Sequence, residues 1–232
     1  MAAKVLDVPG VGAVKIYKRK GNRNLNLRLD KNGEIRVTMP PWLPYAAGAS
    51  FAASKISWIA SQKSGLSAAL KNGQPIGKAH HLYFESSRQT ESIKTRLKDS
   101  SATVIYPSSL DLQNLSVQQA AKKLANRALK KQAEQLLPGR LAELAASGGF
   151  RYKSLSCRNL SARWGSCDSK TNITLSIYLL LLPWELIDYV IWHELSHTLV
   201  MRHGPDFWQE LGRHVNDTKA LRREIRLRRP SL

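Results

Sequence analysis

The pentad His193-Glu194-Leu195-Ser196-His197, set in an apolar stretch that begins near Pro183, constrains this chain more than any other feature. In an α-helix each residue advances by about 100°, so His193 and His197 fall about 40° apart and one turn along the axis. The spacing predicts a helix that starts near Pro183, a residue tolerated in a first turn, with both imidazoles able to reach one ion. Glu194 projects about 60° from His197 and can address a water on that ion without being a ligand itself. With 6 histidines in 232 residues, chance would produce the pattern on the order of once in two hundred such chains. The competing reading is that the histidines are core residues, because Leu186, Val190 and Val200 share their face. An apolar surround is also what a catalytic metal needs, since a dry site strengthens the pull of the ion on water and carbonyl.

Three protein ligands and one open position characterise catalytic zinc, so a third ligand is required. His203 lies six residues beyond His197, and Gly204-Pro205 beside it lets the chain turn back toward the helix. Asp206 and Glu210 are rivals that a helix starting at Pro205 could present instead. His80, His81 and His214 show no ligand spacing. The metzincin pattern is excluded, because Val200 stands where that pattern has Gly and no methionine follows Met201.

Elsewhere the periodicities predict an α+β fold. Leu25, Leu27 and Leu29 alternate, Lys31-Asn32-Gly33 turns, and Ile35, Val37 and Met39 alternate again, which predicts a hairpin closed by Pro40-Pro41. A helix carrying Ala47, Phe51, Trp58 and Ile59 is expected from Pro44 to about Gln62, and short strands at 81–84 and 103–106. From Ser116, placed to cap it, Val117, Leu124, Ala128, Leu136 and Leu137 mark a long helix that Pro138-Gly139 is expected to kink or split. Strands follow at 152–156 and 172–177. The change of character places a boundary near residue 115, between a β-rich part over 1–115 and a mixed part over 116–232, with no internal repeat.

The formal charge of +19 predicts attraction to polyanions, whether nucleotides, nucleic acid or acidic surfaces. Lys123, Arg127 and Lys131 form one like-charge row at helical spacing, and the stretch from Lys219 to Arg229 forms another, with Leu221, Ile225 and Leu227 as its apolar partners. Neither row carries a nucleic-acid motif, and both read equally as solvated faces. Cys157 and Cys167 make no disulfide framework, the N-terminus has no secretory pattern, and the apolar run from Ile177 to Trp184 is far short of a membrane span. A cytoplasmic protein is expected.

Arg163-Trp164-Gly165-Ser166-Cys167, Asn172-Ile173-Thr174-Leu175, and Ile187-Asp188-Tyr189-Val190 leading into the pentad together resemble the YgjP-like metallopeptidase family over about residues 20 to 215. The family is in turn similar to the SprT-like proteases. The resemblance implies a zincin-like mixed α/β domain with the metal site on a helix, Zn2+ as cofactor, His193, His197 and His203 as ligands and Glu194 as general base. It also implies that a histidine and a Phe-Trp pair, here His203 and Phe207-Trp208, follow the helix. The chain departs from the family after the Cys167 loop, where Asp168-Ser-Lys-Thr-Asn172 replaces a Ser-Ser-x-Gly run. Two readings of the Arg163–Cys167 loop are open: a functional one with Arg163 binding substrate charge and Cys167 near the metal, or a structural turn in which Trp164 packs and Gly165 supplies unusual backbone angles.

The leading expectation is a zinc-dependent peptidase in which Glu194 activates a metal-bound water, with the strand around Ile173–Ser176 aligning an extended peptide or protein substrate. Two alternatives stand beside it. One is hydrolysis of nucleotide phosphoanhydrides on the same site, and the other a basic nucleic-acid-associated protein whose metal is structural. Glu194 beside three histidines argues against the last, since a structural site has no use for a base.

Overall fold

A computed structural model of the chain describes residues 3–29, 34–59 and 69–232, and by contacts the chain divides after Ala69. The first unit is a four-stranded sheet in the order β1-β2-β4-β3, formed by β1 (Ala3–Val8), β2 (Gly12–Lys18), β3 (Asn26–Leu29) and β4 (Ile35–Met39). β3 and β4 pair antiparallel with Leu27 opposite Val37 and Leu29 opposite Ile35, the register that the alternation predicts. The turn expected at Lys31-Asn32-Gly33 lies outside the described residues. Val14, Ile16, Ile35, Val37 and Met39 are buried on one face of the sheet. Helix α1 (Tyr45–Ala53) covers it, bringing Gly48 against Ile16 and Met39. α1 ends at Ala53, short of the expected limit at Gln62, and the last residues of that expectation lie outside the described ones.

The second unit begins with another four-stranded sheet: β5 (Gln74–Ile76), β6 (His80–Ser87), β7 (Lys94–Lys98) and β8 (Ser101–Pro107), in the order β5-β6-β8-β7. Its pairing scheme repeats that of the first sheet, with an antiparallel first pair, a parallel central pair and an antiparallel last pair. The duplication is topological and leaves no repeat visible in the residues. This sheet packs on helix α2 (Leu115–Gly148), which buries Val117, Ala121, Leu124, Ala128, Leu137, Leu141 and Leu144 at intervals that keep them on one face. Because Ile76, Leu82 and Val104 share one core with these residues, the chain divides at 69, and segment 70–115 belongs to the same unit as α2.

The cap of α2 is Asn114, not Ser116: the Asn114 side chain accepts the Ser116 N–H at 3.0 Å. α2 also runs unsplit through Pro138. Leu137 and Leu141, fully buried on either side of the proline, hold the helix against the core and offset the lost N–H. Gly149, at φ +72°, ends it in the left-handed conformation. Gln132, 1% exposed, accepts the N–H groups of Lys78 and Ala79 through its carbonyl and donates to Ile76 O and His80 Nδ1, fastening the β5–β6 turn to α2.

A small sheet comes next, β9 (Ser154–Arg158), β10 (Gly165–Cys167) and β11 (Asn172–Ser176), in the order β10-β11-β9. After a 3-10 turn at Ile177–Leu181 come α3 (Trp184–Ser196), α4 (Pro205–Gly212) and α5 (Thr218–Leu227). Arg140 on α2 grips Asp188 on α3 through both carboxylate oxygens, with Nε to Oδ1 at 2.7 Å, which fixes α3 against the long helix. No helix among the described residues is long and apolar enough to cross a membrane. The α+β class is as expected.

Candidate metal centre

α3 is anchored by Leu186, Ile187, Val190, Ile191 and Leu195, all buried, and this leaves His193 and His197 one turn apart at its C-terminal end. The helix stops at His197, and the chain turns through Thr198–Arg202 before Gly204 and Pro205 start α4. That return brings His203 Nε2 to 3.0 Å from His193 Nε2 and 3.2 Å from His197 Nε2. The rivals for the third position lie elsewhere. Glu210 is engaged by Arg213 and His214, and among the described residues the one group of donors converging on a point is His193, His197 and His203. Cys167 is outside it. Its thiol reaches the Asp168 carbonyl, and burial pushes its pKa up to about 11.

Three imidazole nitrogens facing one another at this range form a donor set that could hold one metal ion. His197 Nδ1 donates to the Val200 carbonyl at 3.0 Å, which leaves its Nε2 a bare lone pair aimed at the cluster. Burial, then the neighbouring imidazoles, then Arg222 hold His193 neutral, pushing its pKa down to about 3. Tetrahedral zinc with Zn–N bonds of about 2.05 Å would set nitrogens ~3.3 Å apart, close to the separations seen. Phe207 on α4, fully buried, forms the floor, with its ring centroid 4.8, 4.5 and 4.7 Å from those of His193, His197 and His203. Trp208 stacks beside His203 at 5.8 Å.

Glu194 lies next to this cluster at 4% exposure. Burial raises its pKa to about 8, and the charge of Arg163 partly opposes that shift. Its Oε2 is buried without a hydrogen-bond partner. Gly165 explains how the carboxylate fits: a Cβ at residue 165 would lie 2.7 Å from Glu194 Oε1 and 2.8 Å from its Cγ. Gly165 is therefore a spacer in strand β10. It has no left-handed backbone, and the expectation that it supplies unusual angles is corrected.

β11, expected to offer a free edge, is the central strand and pairs on both sides. The edge beside Glu194 is β10. Trp164 O accepts from Ser176 N, and Asp168 N donates to Asn172 O, so the even-numbered residues face β11. By strand alternation the N–H and C=O groups of Gly165 and Cys167 point away from it. The departure at Asp168 proves local, because its carboxylate closes the β10–β11 turn by accepting from Lys170 N and Asn172 N, both at 2.9 Å.

Of the remaining histidines, His80 is bound to Gln132 and His214 stacks on Trp192 at 4.5 Å. Lys123, Arg127 and Lys131 are exposed on α2. Leu227, expected as an apolar partner on α5, is also exposed, while Ile225 is buried.

A family profile described as YgjP-like, metallopeptidase domain, matches residues 23–228. Two solved structures share part of the chain. The metallopeptidase zymogen jannalysin of Methanocaldococcus jannaschii is 21% identical with a TM-score of 0.34, over 38% of this chain and 90% of that one. The metallopeptidase zymogen abylysin of Pyrococcus abyssi is 22% identical with a TM-score of 0.35, over 42% of this chain and 100% of the other. Comparison with curated proteins gives no match.

Proposed function

The chain belongs to the YgjP-like metallopeptidase family, and from that premise we propose that it is a zinc-dependent peptidase with His193, His197 and His203 as metal ligands and Glu194 as general base. The observation that carries the reading is the convergence of three imidazole Nε2 atoms beside a buried carboxylate that has room only because residue 165 is glycine. A zinc ion held by the three histidines would supply Lewis acidity toward a water molecule and a peptide carbonyl. Glu194, whose charged form a cation in the histidine cluster would favour, would take a proton on Oε as the water oxygen bonds to the peptide carbonyl carbon, and would deliver it to the amine nitrogen as the C–N bond breaks. Phe207 and Trp208 keep the ligand rings in place and exclude bulk water from their far side, which strengthens charge interactions in the site. β10 aligns the peptide: outward N–H and C=O groups at Gly165 and Cys167 support pairing with an extended substrate, so the scissile bond lies over Glu194.

Membership of a peptidase family supports peptide or protein substrates, and nothing in it supports nucleotides or nucleic acid. The thiols of Cys157 and Cys167, unpaired and each with a pKa pushed to about 11 mainly by burial, suit a reducing compartment such as the cytoplasm. The test is to incubate zinc-loaded protein with a peptide pool and with nucleoside triphosphates, reading products by mass spectrometry, with Glu194→Gln alongside. Peptide cleavage that disappears in Glu194→Gln is expected. Turnover of triphosphates without peptide cleavage would replace the reading.

A further inference from the structure

The cleft beside the histidine cluster is also basic. About 490 Å³ in volume, it is lined by His193, Glu194 and His203 and by Arg163, Arg222 and Arg226. An adjoining groove of about 380 Å³ shares Arg163, Trp164, Ile225 and Arg226 with it and continues past Arg228 and Arg229. Among the described residues the only carboxylate lining either space is Glu194, which is buried.

What sets these arginines apart is their place, three in one space with the candidate metal ligands and none in a salt bridge. Arg140 is engaged by Asp188, Arg213 by Glu210 and Arg228 by Glu224. No carboxylate among the described residues pairs with Arg163, Arg222 or Arg226. Arg222 is half-buried with its guanidinium 4.2 Å over the Trp208 ring, so stacking orients its plane while its N–H groups stay available. Guanidinium groups that line one space favour an anion among them, and their planar fork matches a carboxylate.

Position decides the class of anion. Arg163 stands two residues before Gly165 on the approach to β10, the edge whose outward N–H and C=O groups suit an extended backbone. A ligand that uses the edge and the arginines together has a peptide backbone and a carboxylate close along it. We infer that the preferred substrate is a peptide with a carboxylate, from an Asp or Glu side chain or from a free C-terminus, within a residue or two of the bond cleaved, held by Arg163, Arg222 and Arg226. This rests on the peptidase reading and gives it a substrate class.

The test uses the zinc-loaded full chain carrying Glu194→Gln, so that binding is read without turnover, and three labelled peptides followed by anisotropy. One has internal Asp and Glu with an amidated end, one has Asn and Gln in their place with an amidated end, and one has Asn and Gln with a free C-terminus. One or both carboxylate peptides should bind about 10-fold or more tightly than the neutral one, and which of them does so identifies the source of the carboxylate. Adding Arg163→Gln and Arg226→Gln, both at exposed positions, should reduce that ratio to near unity while the circular dichroism spectrum is unchanged. Arg222→Lys, which keeps the charge but loses the planar stack, should fall between. Equal binding of all three peptides overturns the inference, as does a preference that survives the double replacement. Binding of pyrophosphate or ATP in place of every peptide also overturns it. Cleavage of peptide pools by the parent chain separates the two levels: cuts without acidic preference sink this inference alone, whereas no cleavage sinks the peptidase reading with it.

Discussion

Replacing Gly165 with alanine sets a methyl carbon 2.7 Å from Glu194 Oε1, 2.8 Å from Cγ and 3.0 Å from Cδ. Ordinary C···O and C···C contacts begin near ~3.3–3.6 Å, so the overlap is about 0.6 to 0.8 Å on three atoms at once. The methyl cannot yield, being fixed to a strand paired with β11. Glu194 must therefore shift from its place beside β10 by the better part of an ångström. Misplacement of a reacting group by ~1 Å costs about 10² in rate, while overpacking costs about 1–3 kcal/mol in stability. The ligands are untouched, so bound zinc should stay at the parental level. Peptidase turnover, metal content and urea denaturation of Gly165→Ala together check this. Full turnover would show that Glu194 has other room and that the spacer argument is mistaken, and loss of zinc would show that the strand, not the base, is what glycine protects.

Other replacements probe the supports of the same site. Phe207→Ala removes the fully buried floor under three imidazoles and should cost about 3–5 kcal/mol, with weakened zinc affinity in a chelator competition. Gln132→Leu strands the N–H groups of Lys78 and Ala79 and the Ile76 carbonyl. The Ile76 carbonyl is buried while the two N–H groups belong to exposed residues, so at about 1–3 kcal/mol for a buried group left unpaired chemical denaturation should show a loss of that size with metal stoichiometry unchanged. Asp188→Ala breaks the bidentate link from α2 to α3, and because both partners are partly solvated the cost should be about 1–2 kcal/mol, read as a lower midpoint in urea.

The parts legible in the residues are those where one local period dominates. The 3.6-residue pattern of α2, the β3–β4 register and the one-turn spacing of His193 and His197 all follow from side-chain order, whereas the return of His203 is made by the turn at 198–202, and Gly204-Pro205 only starts α4. What escapes is set by partners distant in sequence. β10 is three residues long and defined by its pairing with β11, so no period reveals it, and the free edge is assigned to the wrong strand of the pair. Gly165 reads as a turn residue until Glu194, 29 positions on, is seen to occupy the space of its missing side chain. The division after residue 69 is likewise invisible, because it depends on β5–β8 packing against a helix that starts at Leu115. The role of Phe207 had a signal available: it sits four residues after His203 on a strongly amphipathic α4, whose apolar face must meet whatever the histidines form.

The central claim is a division of labour among neighbours on one helix, and zinc content by elemental analysis tests it most directly. The parent chain and Glu194→Gln should each carry about one zinc per chain, because the amide keeps the shape of the side chain and touches no metal bond. His193→Ala, His197→Ala and His203→Ala should each fall well below that. Full zinc in His203→Ala, or zinc lost from Glu194→Gln, would contradict the account.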